Sequence, residues 1–413
     1  MERTQCAIAG GGPAGMVLGL LLARAGVEVT VLEKHGDFLR DFRGDTVHPS
    51  TLSLLDELGL GERFAQLPQR RVDRVQLPVG QEGELFTIAD FTQLPIRHNH
   101  IALVPQWDLL DLLADAARQE PTFTLRMNTE VTGFVREGGR VNGVHYRTSD
   151  GTTGELRATV TAACDGRGSA VRELPELDVR EFPCPMDAWW FRLPRHASDP
   201  EGLIANVGRR LFLASIDRGD FWQCAGIIRK GTDAERRAAG LEAFAADLAD
   251  AAPWLADRRD ALTSWDEVKL LDVRLDRLHR WHRPGLLCLG DAAHAMSPLG
   301  GIGINLAVQD AVAAARNLAE PLRRTGRVAL GDVRRIQARR LPTTIATQGV
   351  QRLLHRRVVE PMLNGEISTG DTADPPAMLR AVSAMPFLRR VPPLFLAYGA
   401  VPEHPPEAAL RNR

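Results

Sequence analysis

The chain has 413 residues, 44% of them hydrophobic and 25% charged, with a formal net charge of −1. That length exceeds one ordinary hydrophobic core, so we expect two or three domains with the composition of a soluble globular protein. The near-neutral charge excludes a global field that would attract nucleic acid. Because no run of eighteen apolar residues is present, we also expect no stable membrane insertion.

The five cysteines form no C-x-x-C pair and have no histidine at metal-ligand spacing. Cys6, Cys164 and Cys288 lie in apolar, strand-like runs, where cysteine usually serves as a small core residue. Disulfides and metal sites are therefore not expected. A reducing cytoplasm is the expected location.

The first predicted elements lie in CAIAGGGPAGMVLGLLLARAGVEVTVLEK, residues 6–34. This pattern is typical of a buried strand, a glycine-rich turn, a packed helix and a second strand. A secretory signal is the alternative, but GGGP interrupts its apolar core and the remaining run is too short to span a bilayer. Gly10, Gly12 and Gly15 follow the G-x-G-x-x-G order, and Glu33 ends the second strand. The unit predicts an adenine dinucleotide, with its pyrophosphate at the helix N-terminus and its ribose at the glutamate.

Two further segments precede helical patterns. FRGDTVHPSTLSLLDELGL, residues 42–60, carries Arg43 and His48, and VPQWDLLDLLADAA, residues 104–117, begins its helix near Gln106. Taken alone, the arginine is typical of a protein surface and the glutamine of a helix N-terminus.

Two later strands each end at an aspartate beside a glycine. Asp165 follows one strand, and Asp291 follows the other in the sequence GLLCLGDAAHAMSPLGGIGIN, residues 285–305. A carboxylate at a strand end can accept hydrogen bonds from sugar-like hydroxyl groups. The glycine-rich loop that follows Pro298 leads into a helix, whose first N–H groups favour an anionic or carbonyl-bearing ligand. A ligand-free turn is the alternative for each motif alone.

Three motifs follow one another along the chain: the glycine motif with Glu33, Asp165 with its glycine, and Asp291 with the glycine-rich loop after it. In this order they resemble the p-hydroxybenzoate hydroxylase group of class A, FAD-dependent monooxygenases, which includes the ubiquinone-pathway hydroxylases. The resemblance covers roughly residues 4–345. It implies an α/β fold: a doubly wound Rossmann-type FAD domain, an inserted antiparallel-sheet substrate domain and a C-terminal helical region. It also implies FAD as cofactor and NADPH or NADH as co-substrate. One departure is Ile302, where many aromatic hydroxylases carry glutamine.

The resemblance implies a role for each polar motif residue. Glu33 would hold the adenosine ribose, Arg43 the pyrophosphate, Gln106 the ribityl chain and Asp291 a hydroxyl of the ribityl–pyrophosphate region. Asp165 is associated with both FAD and NAD(P)H. The remaining residues implied for the cofactor site are Gly10, Gly12, Pro13, Ala14, Gly15, Lys34, Val131, Pro298, Gly301, Gly303, Ile304 and Asn305.

The flavin surroundings and the chemistry follow from the same resemblance. Backbone groups of Gly303, Ile304 and Asn305 would face the flavin ring, and Pro298 would lie close to its C4a carbon. NAD(P)H reduces the flavin, O2 adds at C4a, and the resulting hydroperoxide delivers one oxygen to the substrate. No catalytic base is identifiable in the sequence.

Trp189 and Trp222, which lie in strands of alternating apolar and polar residues, are candidate substrate contacts, together with His48 and Pro298. The alternative for each tryptophan and for the histidine is a packing role.

The implied domain organisation is discontinuous. The predicted divisions are residues 1–70, 100–178 and 270–345 for the FAD-binding domain, 71–99 and 179–269 for the β-sheet substrate domain, and 346–413 for the C-terminal helical region.

The sequence thus predicts a monooxygenase that acts on an aromatic or polycyclic small molecule with O2, as a monomer or homodimer. The same fold also hosts flavin-dependent reductases and non-redox cyclases, and a non-catalytic flavoprotein binding module is a third alternative. Eleven arginines between Arg316 and Arg357 are typical of a solvated helix face, with an anionic cofactor or membrane surface as the alternative.

Overall fold

The structure is a computed structural model that describes residues 2–39, 46–79, 84–169, 177–365, 390–399 and 401–411. The strands of these residues are β1 (Glu2–Ala9), β2 (Val29–Leu32), β3 (Thr46–Val47), β4 (Arg70–Val72), β5 (Arg74–Val79), β6 (Glu84–Asp90), β7 (Ile101–Leu103), β8 (Phe123–Arg126), β9 (Thr129–Glu137), β10 (Arg140–Thr148), β11 (Thr153–Ala163), β12 (Val179–Phe182), β13 (Met186–Pro194), β14 (Leu203–Val207), β15 (Phe212–Asp217), β16 (Phe221–Arg229), β17 (Lys269–Leu271), β18 (Leu275–Leu278), β19 (His282–Arg283) and β20 (Leu286–Cys288).

The α-helices of the same residues are α1 (Pro13–Arg24), α2 (Pro49–Glu57), α3 (Gly61–Ala65), α4 (Gln106–Arg118), α5 (Asp233–Ala238), α6 (Leu241–Ala251), α7 (Ile302–Thr325), α8 (Leu330–Leu354), α9 (Glu360–Leu363) and α10 (Val391–Tyr398). A π-helical segment, His355–Val359, continues α8. Among the described helices, none is both long enough and apolar enough to cross a membrane.

The largest sheet has the strand order β19-β20-β11-β1-β2-β8, and the β9–β10 hairpin pairs with the first half of β11. Strands β20, β11, β1, β2 and β8 run parallel to one another. Ala9 pairs with both Leu32 and Ala163, and Ala163 also pairs with Cys288. Strands β1, β2, β11 and β20 therefore end at one edge, where the residues that follow them come together. This arrangement confirms the predicted Rossmann-type fold.

The main hydrophobic core lies between the large sheet and helices α1, α4 and α7. Helix α1 is buried along almost its whole length, because its residues from Ala14 to Ala23 are small or aliphatic. A helix that is apolar on all sides must be covered on all sides. Its N-terminus is consequently fixed against the end of β1.

A second, antiparallel sheet has the order β14-β15-β16-β13-β17. Its outer face packs on α6, where Trp189, Phe191 and Trp222 contact Phe244 and its neighbours. Side chains alternate across a strand, so the residues between these aromatics face the opposite way. The antiparallel-sheet part of the predicted fold is thereby confirmed.

Three smaller sheets complete the strand content of the described residues: β3-β7-β4, the pair β5-β6 and the ribbon β12-β18. Helix α8 runs through Pro342 rather than starting after it, and its π-helical continuation leads into α9. Helix α10 contacts α2 and β6, so the C-terminal part of the chain packs beside the β5–β6 pair.

Candidate active site

A cavity of ≈ 1380 Å³ extends from the carboxyl edge of the large sheet to the inner face of the second sheet. We call the part lined by the strand ends the dinucleotide end. A site for one drug-sized ligand has roughly 300–1,000 Å³, so this cavity has room for a dinucleotide and a second molecule. The opposite part, the apolar chamber, is lined by Val72, Val75, Ile101, Leu103, Ala188, Trp190, Leu203, Ala205, Phe212, Ala214, Ile216, Ala225, Ile227, Leu271, Met296, Leu299, Leu354, Val358, Val359, Met362, Leu363 and Leu396.

Most residues that the sequence assigned to the cofactor line this cavity. Gly15 and Asn305 are not among the lining residues. Arg43 lies outside the described residues. The predicted residues that do line the cavity are Gly10, Gly12, Pro13, Ala14, Glu33, Lys34, Gln106, Val131, Asp165, Asp291, Pro298, Gly301, Gly303 and Ile304.

The three motif glycines meet different surroundings. Gly10 has φ +96°, and an added Cβ would lie 2.5 Å from the Cys164 carbonyl oxygen. A Cβ on Gly15 would lie 2.0 Å from the Gly10 oxygen. At Gly12, however, an added Cβ would meet no atom within 4 Å. The turn is therefore tight on the protein side and open at the N-terminus of α1, which fits the close approach of a pyrophosphate.

Glu33 lies at the end of β2 and is only 6% exposed. One of its carboxylate oxygens accepts a hydrogen bond from the Gly11 N–H at 2.8 Å, and the other accepts from the His35 N–H at 3.0 Å. These bonds hold the carboxylate beside the glycine turn. Ribose hydroxyls donate to an acidic residue at this place in dinucleotide-binding folds.

The two aspartate–glycine motifs meet at the same edge. Arg167 follows the first motif, and its Nε lies 3.6 Å from a carboxylate oxygen of Asp291 in the second. The guanidinium of Arg167 also donates to the Asp272 carbonyl oxygen at 3.0 Å. Sequence reasoning missed Arg167, although its position directly after Asp165-Gly166 was a signal for it. The arginine adds a positive charge to the dinucleotide end.

The loop before α7 turns through glycines. Gly300 and Gly301 have φ of +78° and +60°, in a backbone region that residues other than glycine rarely adopt. A Cβ on Gly301 would lie 2.3 Å from Oγ1 of Thr46, whose hydroxyl donates to the Gly301 carbonyl at 2.9 Å. The loop thus presents the start of α7, including Gly303, to the cavity. The first N–H groups of a helix have no intrahelical partner and suit an anionic or carbonyl oxygen.

Asn305 uses its side chain away from the cavity. Its Oδ1 accepts hydrogen bonds from the hydroxyls of Ser50 at 2.5 Å and Thr51 at 3.1 Å. The side chain therefore ties α7 to α2. The assignment of its backbone to the flavin stays a prediction.

His48 is fully buried and is not among the residues that line the cavity, and its contact with substrate stays a prediction. Its ring nitrogens lie 2.7 Å from the Leu396 carbonyl oxygen and 3.1 Å from the Gly301 oxygen. Burial lowers the pKa of His48 below its usual value, although both carbonyl contacts oppose the shift. The imidazole therefore links α10 to the loop before α7.

Trp189 and Trp222 also do not line the cavity. Side chains alternate between the two faces of a strand, and these two lie on the outer face of the second sheet. Their indole N–H groups donate to Asp233 at 2.6 Å and to Asp199 at 2.8 Å. Both side chains thus pack under α6 and the segment after it, and their contact with substrate stays a prediction. Trp190, one residue along, lines the apolar chamber, and its buried Nε1 has no hydrogen-bond partner among the described residues.

Comparison with known proteins gives a consistent result. A sequence-family profile described as FAD binding domain matches residues 3–348. A 6-methylpretetramide 4-monooxygenase from Streptomyces rimosus is 34% identical over 395 residues, which cover 94% of this chain and 91% of that protein. A 12-dehydrotetracycline 5-monooxygenase/anhydrotetracycline 6-monooxygenase from Streptomyces rimosus subsp. rimosus is 30% identical over 331 residues, 75% of this chain and 61% of its own length.

Among solved structures, an anhydrotetracycline hydroxylase from Streptomyces rimosus superposes with a TM-score of 0.75. It has 23% sequence identity and covers 96% of this chain and 76% of its own, so the likeness concerns the fold. The strand-end geometry, the family match and the sequence identity lead to one conclusion. The chain belongs to the family of FAD-dependent monooxygenases.

Proposed function

We propose that this FAD-dependent monooxygenase inserts one oxygen atom of O2 into an uncharged aromatic or polycyclic molecule, with NADPH or NADH as reductant. The substrate C–H becomes C–OH. NAD(P)H supplies one hydride, which carries the two electrons that the reaction needs, and the second oxygen atom leaves as water after taking up a proton from solvent. The observation that carries the proposal is the apolar chamber beside the dinucleotide end.

The charged lining residues are all at the dinucleotide end. Every described residue that the second sheet, α8, its π-helical continuation and α9 contribute to the cavity lining is apolar, and the one indole N–H among them is buried. Burying a charged substrate there without a partner would cost far more than burying an apolar ring system. The charged residues that line the cavity are Glu33, Lys34, Glu130, Arg147, Asp165, Arg167 and Asp291.

The residues of the dinucleotide end would hold FAD. Gly12 admits the pyrophosphate to the N-terminus of α1, Glu33 accepts from the ribose, and Asp291 accepts from a hydroxyl of the ribityl–pyrophosphate region. Gln106 and the start of α7 would flank the rest of the cofactor. When bound, FAD supplies the redox and oxygen chemistry.

The residues of the chamber would exclude water and orient the substrate. Its lining is dominated by Ala, Val, Ile and Leu, whose side chains provide apolar contact area and form no hydrogen bonds. A dry site strengthens every electrostatic interaction inside it and protects reactive species from water. Two relatives are named for pretetramide and tetracycline substrates, which are polycyclic, and this supports the substrate class.

The test uses the FAD-loaded protein, NADPH and 6-methylpretetramide as a polycyclic probe without an ammonium group, under oxygen-18 gas. We expect NADPH oxidation to rise when the probe is added, and a product that contains one oxygen-18 atom by mass spectrometry. The FAD-free protein serves as control and should yield no product. The purified holoprotein should be yellow, with the two absorbance bands of oxidised flavin.

The outcome also separates the alternatives. If the probe is transformed without O2 consumption or oxygen-18 uptake, the enzyme is a reductase or cyclase and not a monooxygenase. Binding without transformation across a panel of polycyclic aromatics, and without stimulated NAD(P)H oxidation, would indicate a ligand-binding module. Protein that stays colourless in excess FAD would contradict the cofactor.

We further propose a cytoplasmic enzyme that is a monomer or a homodimer. All five cysteines are free, and four of them are buried, which is compatible with a reducing compartment. Sedimentation of the holoprotein measures the oligomeric state, and fractionation of the source cells measures the location.

A further inference from the structure

Three arginines from three elements surround one aromatic ring on the outside of the cavity. The guanidinium carbons of Arg180, Arg277 and Arg352 lie 5.2, 4.9 and 4.8 Å from the centroid of the Phe182 ring. Phe182 and Arg180 belong to β12, Arg277 to β18 and Arg352 to α8. Each contact is a favourable cation–π interaction, but together they concentrate three positive charges.

Among the described residues, none of these three arginines forms a salt bridge. Arg180 and Arg277 are directly paired across the β12–β18 ribbon, where like charges oppose each other. No carboxylate in the described part of the chain lies within ion-pair distance of any of the three. Burial lowers the pKa of Arg277, and the charges of Arg180 and Arg352 lower it further. Such a cluster stores repulsion that an anionic ligand would relieve.

A small pocket adjoins the cluster. It has a volume of ≈ 220 Å³, and its lining includes Cys184, Arg352, His355, Arg356 and Glu360. Burial lowers the pKa of His355 to about 4, so its imidazole is neutral at pH 7. Two arginines against one glutamate leave the pocket positive. It is smaller than the roughly 300–1,000 Å³ of a drug-sized site, which suits a single small group such as a phosphate.

The pocket and the cavity lie against the same segment of chain. His355 and Arg356 line the pocket, while Val358 and Val359, from the same π-helical segment, line the apolar chamber. His355 Nε2 also lies 3.0 Å from the hydroxyl of Ser297, which itself lines the cavity. One π-helical segment therefore borders both the pocket and the apolar chamber.

We propose that this pocket and the adjoining arginines around Phe182, together called the arginine pocket, bind the 2′-phosphate of NADPH. The proposal rests on the proposed function, which requires a nicotinamide dinucleotide. NADPH differs from NADH by one phosphomonoester, the group that a fork of guanidinium donors binds best. The pocket makes the enzyme selective for NADPH over NADH.

The experiment measures ligand binding and flavin reduction in the FAD-loaded enzyme. Calorimetry compares adenosine 2′,5′-bisphosphate, adenosine 5′-monophosphate and inorganic phosphate, while anaerobic rapid mixing compares NADPH with NADH. Arg180→Gln, Arg277→Gln and Arg352→Gln should each weaken bisphosphate binding by about tenfold, the loss expected for one charge-assisted contact. The ratio of NADPH to NADH affinity should fall by the same factor. Arg280→Gln, an exposed arginine two residues beyond β18, is the matched control.

Affinity for the bisphosphate that is unchanged in all three variants would overturn the proposal. Equal loss of NADPH and NADH affinity would also overturn it, as would phosphate binding without preference for the bisphosphate over the monophosphate, which indicates an adventitious ion only. Because Arg180 is exposed, its variant keeps the test valid if the others fold poorly. Calorimetry requires no turnover, so failure of the oxygenation assay is distinguishable from failure of this site.

Discussion

At Gly12 an added Cβ would meet no atom within 4 Å, whereas at Gly15 it would lie 2.0 Å from the Gly10 oxygen. Gly12 has φ −73°, which any residue can adopt. We therefore expect Gly12→Val to leave the fold of the cofactor-free protein intact and to weaken FAD binding by at least about tenfold, because the side chain occupies the pyrophosphate position. Fluorescence titration with FAD measures the affinity.

Gly15→Ala is the matched comparison from the same motif. Overpacking at this contact should lower the free energy of unfolding by about 1–3 kcal/mol, as measured by denaturant unfolding of the cofactor-free protein. Wild-type FAD affinity in the Gly12 variant would show that no pyrophosphate lies there. Equal destabilisation by both substitutions would show that the two glycines have the same structural role.

Residues of the glycine motif were predictable because strand, turn and helix are contiguous in sequence. The candidate substrate residues were not. Trp189 and Trp190 are adjacent, so one must face each side of β13, and both sides of this sheet are covered. The alternation of side chains along β13 therefore does not indicate which of the two sets faces the cavity. The choice depends on α6, whose position on the outer face is set by tertiary packing.

Among the elements, the π-helical segment is expected to make stability depend on pH. Burial lowers the pKa of His355 to about 4 from an ordinary value of 6.5. As pH falls from 6.5 to 4, the unfolded chain binds a proton that the folded protein does not, so stability is lost across that window. His355→Gln should remove this loss, worth about 3 kcal/mol at pH 4.

Urea unfolding between pH 4 and 8 measures this effect. Glutamine cannot take up the proton, so the stability of the variant should fall less steeply than that of the wild type below pH 6.5. The same substitution at the exposed His145 is the control. Parallel pH profiles for wild type and the His355 variant would contradict the expectation.

The helices after α7 were less predictable than those before it. Helix α8 begins at Leu330 and passes through Pro342, although proline usually kinks or ends a helix. The contributions of Val358 and Leu396 to the chamber were not foreseen, since they depend on contacts between segments far apart in sequence. The division into a discontinuous FAD-binding domain, a substrate domain and a C-terminal region remains our proposal, supported by the separate sheets.

At the scale of the molecule, a buried chain of charges connects the C-terminal segment to the dinucleotide end. Glu403 is fully buried and accepts from Arg339 at 2.6 Å and from Arg340 at 3.5 Å. Arg340 donates to Asp310 at 2.9 Å, and Asp310 accepts from the N–H of Gly290 at 3.2 Å. Part of the arginine-rich stretch thus neutralises an acid of its own chain rather than facing an anionic surface.

We expect Glu403→Gln to lower the free energy of unfolding by about 3 kcal/mol, because it leaves a buried guanidinium without its full counter-charge. FAD affinity should fall as well, since Gly290 precedes Asp291. Denaturant unfolding and FAD titration measure the two effects. Glu407→Gln, four residues further along on the surface, should change neither quantity. Unaltered stability in the Glu403 variant would mean that the chain of charges is not coupled to the fold.

The neighbouring strands β1, β11 and β20 come from residues 2–9, 153–163 and 286–288. On a ribosome that adds about 5–20 residues per second, β1 waits on the order of ten seconds for β11 and longer for β20. During that time only β2 is available to cover one side of β1, and the apolar run from Cys6 to Ala9 keeps an open edge. Unpaired apolar edges promote association between chains. The yield of this protein in a living cell should therefore depend on chaperones and on the speed of translation before residue 153.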